Sequence, residues 1–253
     1  DHTNTVAAGV MFGAIVALLL LWLVAVAVLR TGACSERKAW LLVTAWAAPF
    51  AIGPPLLSAD VYTYVGKGLL QRNGIDPYTQ GPAVLGNHAI VAAMDPTWRS
   101  ARSISGPFGT LIEHLAVAIT GGHAFATVIV LRALGVLCLV AIGRLAAELA
   151  GVRRVPALAL SALNPAVLLY VVSGAHLDGV MVALLLGALV AAADRRWVPA
   201  VVLVCAAAAT KPIAIVAVPV VILMHCFRPG TRVSWRALVR DVAIAVGSLA
   251  AFS

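Results

Sequence analysis

Asp60 is a carboxylate at a boundary. The run before it, Ala39–Leu57, is apolar and stops at Pro54-Pro55. The residues after it, as far as Arg72, predict a short amphipathic helix closed by Asn73-Gly74. An Asp in that place reads either as an N-cap for the helix or as a base held at a membrane surface, able to take a proton from an incoming hydroxyl. Two cations lie inside apolar runs, Arg132 within Ala124–Ala150 and Lys211 within Trp197–Cys226. A charge in hydrocarbon costs at least about 2.5–3.5 kcal/mol, so each calls for a partner. That partner is either structural (Asp178 or a backbone carbonyl) or one anionic ligand that both cations bind, and a lipid phosphate would sit at this depth. His176 and Asp178 open a further apolar run. They read as a capped helix start or as two polar groups on the rim of the same outer cavity. His88, His114, His123 and His225 are scattered and read as interface residues.

The elements that must hold these groups are membrane helices. Of 253 residues, 62% are hydrophobic and 11% charged, with a mean hydropathy of +1.01. A soluble domain is about half apolar and a quarter charged, so a soluble globule, a disordered chain and a coiled coil are all excluded. Spans are expected at Val6–Leu29, Ala39–Leu57, Ala124–Ala150, Val155–Ser173 and Gly179–Ala193. Residues 197–226 are interrupted by Thr210-Lys211-Pro212 and predict a broken helix or a tight hairpin. A last span starts near Val242, and Asn164-Pro165 predicts a kink in the fourth. Because the chain opens on Asp1 and ends inside an apolar run, it is expected to be a piece of a longer protein.

The net charge of +8 orients these spans rather than binding nucleic acid, because the basic residues lie mostly between apolar runs. Arg30, Arg37, Lys38, Arg144, Arg153, Arg154, Arg195, Arg196 and the four Arg of 228–240 are 12 of the 18 basic residues and mark the cytoplasmic side. The 66-residue stretch Ser58–His123 holds only Lys67, Arg72, Arg99 and Arg102 and is placed outside. Within it Pro107–Gly121 is too short to cross and carries Glu113 and His114, which predicts an interfacial or re-entrant helix. The fold class is thus all-α, a polytopic bundle with a long extracytoplasmic loop carrying short interfacial helices. Cys34, Cys138, Cys205 and Cys226 show no CxxC or Cys/His spacing, so neither a disulfide framework nor a zinc site is expected. With no GxGxxG, P-loop or acidic cluster, no nucleotide, metal or other cofactor is expected. Three classes remain: group transfer from a polyprenyl phosphate to an extracytoplasmic acceptor, transport of a lipid-linked or anionic substrate, or a scaffold or assembly subunit.

A resemblance separates them. Trp46 and Pro49, the run Pro54–Tyr64, Gly68, Gly74-Ile75-Asp76-Pro77-Tyr78-Thr79 and Gly81-Pro82 resemble the signature loop of GT-C glycosyltransferases that use polyprenol-phosphate-mannose. The match is strongest to the MptB-like α-(1→6)-mannosyltransferases of lipomannan assembly. It continues in order through Pro107-Phe108-Gly109, Leu131-Arg132, Leu163-Asn164-Pro165, Gly174-Ala175-His176-Leu177-Asp178 and Lys211-Pro212. The chain departs from the family at Phe108 and Thr110, where Tyr and Pro are usual, and at Leu177, where an Asn is usual.

The resemblance implies a GT-C-like bundle in which Asp60 is the general base. It implies donor-phosphate contacts from Arg132, Lys211 and His176, and substrate contacts from Tyr62, Tyr64, Asp76, Tyr78 and Asp178. The implied partners are polyprenyl-phosphate-mannose, a glycolipid or mannan acceptor and the bilayer, with the site on the extracytoplasmic face of the cell membrane.

Overall fold

The computed structural model describes residues 2–227 and 234–252, so Arg228 and Arg232 of the basic run lie outside the described residues. Every regular element among the described residues is helical. The α-helices are α1 (His2–Arg30), α2 (Glu36–Ile52), α3 (Asp60–Arg72), α4 (Ala89–Ala93), α5 (Pro96–Arg99), α6 (Pro107–Ile119), α7 (Ala124–Leu149), α8 (Arg154–Leu160), α9 (Asp178–Ala193), α10 (Trp197–Thr210), α11 (Ala217–Cys226) and α12 (Trp235–Phe252). Two of them, Val6–Arg30 within α1 and the whole of α7, are long and apolar enough to cross a membrane. A π-helical turn, Val167–Ser173, and α9 make a third candidate if this pair, bent by 112°, counts as one span.

The run Val155–Ser173 is not one helix. Pro165 has no N–H to donate and its ring collides with the preceding turn, so α8 stops at Leu160. Asn164 bridges the gap: its amide donates to the Leu160 carbonyl at 3.3 Å, and its side-chain oxygen accepts from the Ala166 N–H at 2.9 Å. The chain resumes as the π-helical turn, a form that concentrates at functional sites. The break at Lys211 has the same cause, since Pro212 follows it. Beyond it, a 3₁₀ turn (Pro212–Val216) leads into α11, which packs against α10.

Three apolar cores hold the helices together. One joins α9, α10, α11 and α12 through Ala188, Val201, Val204, Val221 and Ala245. Beside it His225 Nδ1 lies 2.5 Å from the fully buried Asp241, and Trp197 stacks on the imidazole at 4.4 Å. His225, expected at an interface, therefore ties α10, α11 and α12 together. A second core joins α1, α2, α7 and α8 through Leu29, Val43, Leu139 and Leu158. The third is built mostly from the polar-looking stretch 58–123. Val61, Tyr64, Val65 and Leu69 of α3 pack on Ile90 and Val91 of α4, Ala116 and Val117 of α6, and Val128 and Leu131 of α7. Gly68 makes the α3–α6 crossing close, for a Cβ there would lie 2.4 Å from the Glu113 carbonyl oxygen.

Candidate active site

The charged groups meet where two helix N-termini face each other. Asp60 is the first residue of α3 and Asp178 the first of α9, so each carboxylate sits where the helix dipole favours negative charge. Neither side chain caps its helix. For α3 the Ser58 hydroxyl does that work, accepting from the Asp60 N–H at 3.1 Å. Ser58 also lies 3.0 Å from His176 Nε2, which brings the α9 side of the site onto α3. The other imidazole nitrogen, Nδ1, stands 3.6 Å from Asp60 and 3.8 Å from Asp178. Lys211 completes the group, its ammonium 3.2 Å from Asp178 and 5.9 Å from the Tyr64 ring centroid.

The connections that deliver these residues are strained. Leu57 has φ 62° and Ala175 φ 52°, in the left-handed region that L-residues avoid at a cost of roughly 1–2 kcal/mol. They precede Ser58 and His176, and they are pinned: the Leu56 N–H donates to the Ser173 hydroxyl at 2.9 Å, and the His176 N–H donates to the Tyr170 carbonyl at 3.0 Å. Lys211 is set by a third contact. The Gly106 N–H donates to the Thr210 carbonyl at 3.0 Å, and a Cβ on Gly106 would sit 2.2 Å from the Ala209 oxygen. The N-terminus of α6 is therefore seated on the end of α10.

Asp60, Thr63, Tyr64, Lys67, Trp98, Ile104, Ser105 and Lys211 line a narrow cleft of about 30 Å³, room for one or two waters. Behind it lies Glu113, fully buried, with Oε1 accepting from the Ser105 hydroxyl at 3.0 Å and Oε2 without a partner. Burial pushes the Glu113 carboxyl up to about 7, against the pull of Lys67 and the Ser105 hydroxyl. Burial also draws the Lys67 ammonium below its usual range, opposed by Glu113. It lowers His176 in the same way, opposed by Asp60 and Asp178, and raises the Tyr64 phenol, with Asp60 adding to the rise.

Of the residues expected to act, Asp60, Tyr64, His176, Asp178 and Lys211 come together. Arg132 does not join them. Its two terminal nitrogens donate to the carbonyls of Gly53 and Phe50. It lines a separate, mostly apolar cavity of about 780 Å³, which also receives Tyr62. None of Asp60, His176, Asp178 or Lys211 lines that larger space, whereas Asp60 and Lys211 line the small cleft. Asp76 and Tyr78 shape the loop: Asp76 accepts from the Tyr78 N–H at 2.9 Å, and the Tyr78 hydroxyl donates to the Ser105 carbonyl at 3.1 Å. Ser58, Lys67, Ser105 and Glu113 also lie beside these groups; Ser58 falls within the run Pro54–Tyr64, whereas no sequence motif marks Lys67, Ser105 or Glu113. Among the described residues no group of three His, Cys, Asp or Glu side chains is arranged to hold a metal ion.

Residues 1–227 match the family model described as the N-terminal domain of α-(1→6)-mannopyranosyltransferases. The chain belongs to this family. The family member named α-(1→6)-mannopyranosyltransferase A in Mycobacterium tuberculosis is 30% identical over 240 residues, 93% of this chain and 46% of the relative. The protein of the same name in Corynebacterium glutamicum is 29% identical, over 72% of this chain and 38% of its own length. The α-(1→6)-mannopyranosyltransferase B of C. glutamicum is 30% identical over 62% of this chain and 27% of its length. The chain thus spans less than half of each of these curated relatives. No solved structure matches.

Proposed function

We propose that this chain carries the reaction centre of an inverting mannosyltransferase. It takes mannose from polyprenyl-phosphate-mannose and builds α-(1→6) linkages on a mannan-type or glycolipid acceptor at the outer membrane face. The observation that carries the reading is the meeting of Asp60 with His176 and Lys211 at the end of α3, because the reaction needs a base and a cation within one small volume. Asp60 takes the proton from the acceptor 6-hydroxyl, and that oxygen bonds to mannose C1 from the face opposite the phosphate. As the new bond forms, the C1–O bond to phosphate breaks and its electron pair leaves with the polyprenyl phosphate. Lys211, with the His176 ring beside it, steadies the charge that grows on that phosphate. Asp178 holds the Lys211 ammonium in place at the cleft. The cleft is too small for a sugar as it stands, so entry requires its lining to open.

The experiment is a membrane assay with polyprenyl-phosphate-mannose and a short α-mannoside acceptor. Asp60→Asn should fold normally and lose about 10²- to 10⁴-fold of transfer, the usual worth of a positioned base. Near-normal transfer by that variant would remove Asp60 from the role.

A further inference from the structure

Glu113 is a buried carboxylate that the proposed reaction does not use. It is fully enclosed, one oxygen is bonded to Ser105 and the other has no partner. Ser105 and Lys67 both line the cleft in front of it, and Thr63 Oγ1, on the same cleft, is also buried without a partner. Lys67 is 3% exposed and forms no ion pair with a carboxylate among the described residues, whereas Lys211 has Asp178. The cleft is therefore lined by Lys211, which has Asp178, by Lys67, which has no carboxylate within ion-pair distance among the described residues, and by the unsatisfied Thr63 hydroxyl, with the unsatisfied Glu113 oxygen buried behind them.

We propose that the cleft between Asp60 and Lys211 is a seat for a lipid-linked phosphate diester, and that Glu113 is its positioning residue: it takes up a proton as the anion enters and, acting through Ser105 and Lys67, leaves Lys67 free to meet the ligand beside Lys211. The proposal rests on the reading given above, in which the donor phosphate meets Lys211, and adds Glu113 and its proton linkage.

The electrostatics follow from the groups around Glu113. Lys67 of α3 and Lys211 beyond α10 favour its carboxylate, while burial opposes it, and Tyr64 of α3 also feels its charge. The balance leaves the group able to change state near neutrality, at about 7. A phosphate in the cleft adds a negative charge close to the carboxylate, and like charges disfavour ionisation. A proton from solvent then converts the carboxylate to a neutral acid. Ser105, released from holding a charge, can turn its hydroxyl to the ligand. Lys67 loses its competing counter-charge and keeps only the phosphate. No bond other than O–H forms in this step.

The test uses the purified full chain and methyl farnesyl phosphate, a diester with no titrating group near neutrality. Calorimetry at pH 7.5 in buffers of different ionisation enthalpy counts protons. The protein should take up roughly half a proton or more on binding, with affinity falling as pH rises through about 7. Glu113→Gln should lose that uptake and bind with an affinity that is flat between pH 6.5 and 8.5. His88→Gln, an exposed histidine that does not line the cleft, should keep it. Ser105→Ala removes the bond that favours the carboxylate, so the midpoint should move to higher pH; this variant carries the test if Glu113→Gln does not fold. Equal uptake in wild type and Glu113→Gln, uptake lost only in His88→Gln, or no binding of the diester overturns the proposal. Diethyl phosphate bound as tightly as the farnesyl probe overturns the assignment to a lipid. Binding with proton uptake but without mannosyl transfer would overturn the reaction proposed above and leave this inference standing.

Discussion

Arg132 closes the end of α2, donating through Nη1 to the Gly53 carbonyl and through Nη2 to the Phe50 carbonyl from 79 and 82 residues away. The last carbonyls of a helix have no partner in the helix itself, and a cation there also meets the negative end of the dipole. Lys211 faces the cleft instead. The two half-buried cations thus have different duties. Arg132→Gln should lower thermal stability by a few kcal/mol, since hydrogen bonds to charged groups are worth about 1.5–3 kcal/mol each, and leave the KM for the donor near wild type. Lys211→Gln should raise the donor KM with little change for the acceptor. Equal donor defects in the two variants would contradict this division.

The sequence made some of this legible. Asp60, His176 and Asp178 are polar groups at the edges of apolar runs and Lys211 is a cation inside one, and a polar group in such a place has few explanations. The cluster behind them was hidden. Glu113 reads as a charge that keeps α6 out of the membrane, and nothing local says that it is buried within electrostatic reach of a lysine 46 positions earlier. Burial there depends on α3 and α6 crossing at Gly68, a non-local event. The kink at Asn164-Pro165 was legible from the missing donor, but the π-helical turn after it was not, because α and π turns share the same apolar composition. Arg132 and its carbonyl partners show why charge alone misleads: a guanidinium inside a span is as well served by the end of a neighbouring helix as by a ligand.

Gly106 should matter without touching any charge. A methyl group on it would collide with the Ala209 carbonyl, which backbone cannot avoid cheaply. Gly106→Ala should cost about 1–3 kcal/mol of stability, displace Lys211 and reduce transfer. Unaltered melting and unaltered transfer in detergent would show that the seat of α6 on α10 does not position the lysine.

The orientation of the site in the membrane has a direct check. Gln80 is exposed on the loop beside the cleft, and Val152 is exposed where α7 meets α8 amid basic residues. In a background without native cysteines, Gln80→Cys should react with an impermeant thiol reagent on intact cells, and Val152→Cys should react only after permeabilisation. The reverse pattern would put the cleft inside the cell.

Glu113 should also make stability depend on pH. Its carboxyl stands at about 7 in the folded protein against an ordinary value of 4.5. An acid whose folded pKa is raised binds more protons folded than unfolded between those two values. Its contribution is complete below about 4.5 and is lost as pH climbs through about 7. The loss is on the order of 3 kcal/mol, since each tenfold change in proton affinity is worth about 1.4 kcal/mol. His176, lowered by burial, slopes the opposite way, so the comparison must be between wild type and Glu113→Gln, in which His176 is common to both. Melting temperatures at pH 5 and pH 7.5 in one detergent should show the wild type losing stability relative to Glu113→Gln as pH rises. A constant difference between the two proteins across that range would mean that Glu113 is already ionised in the fold and that Lys67 neutralises it.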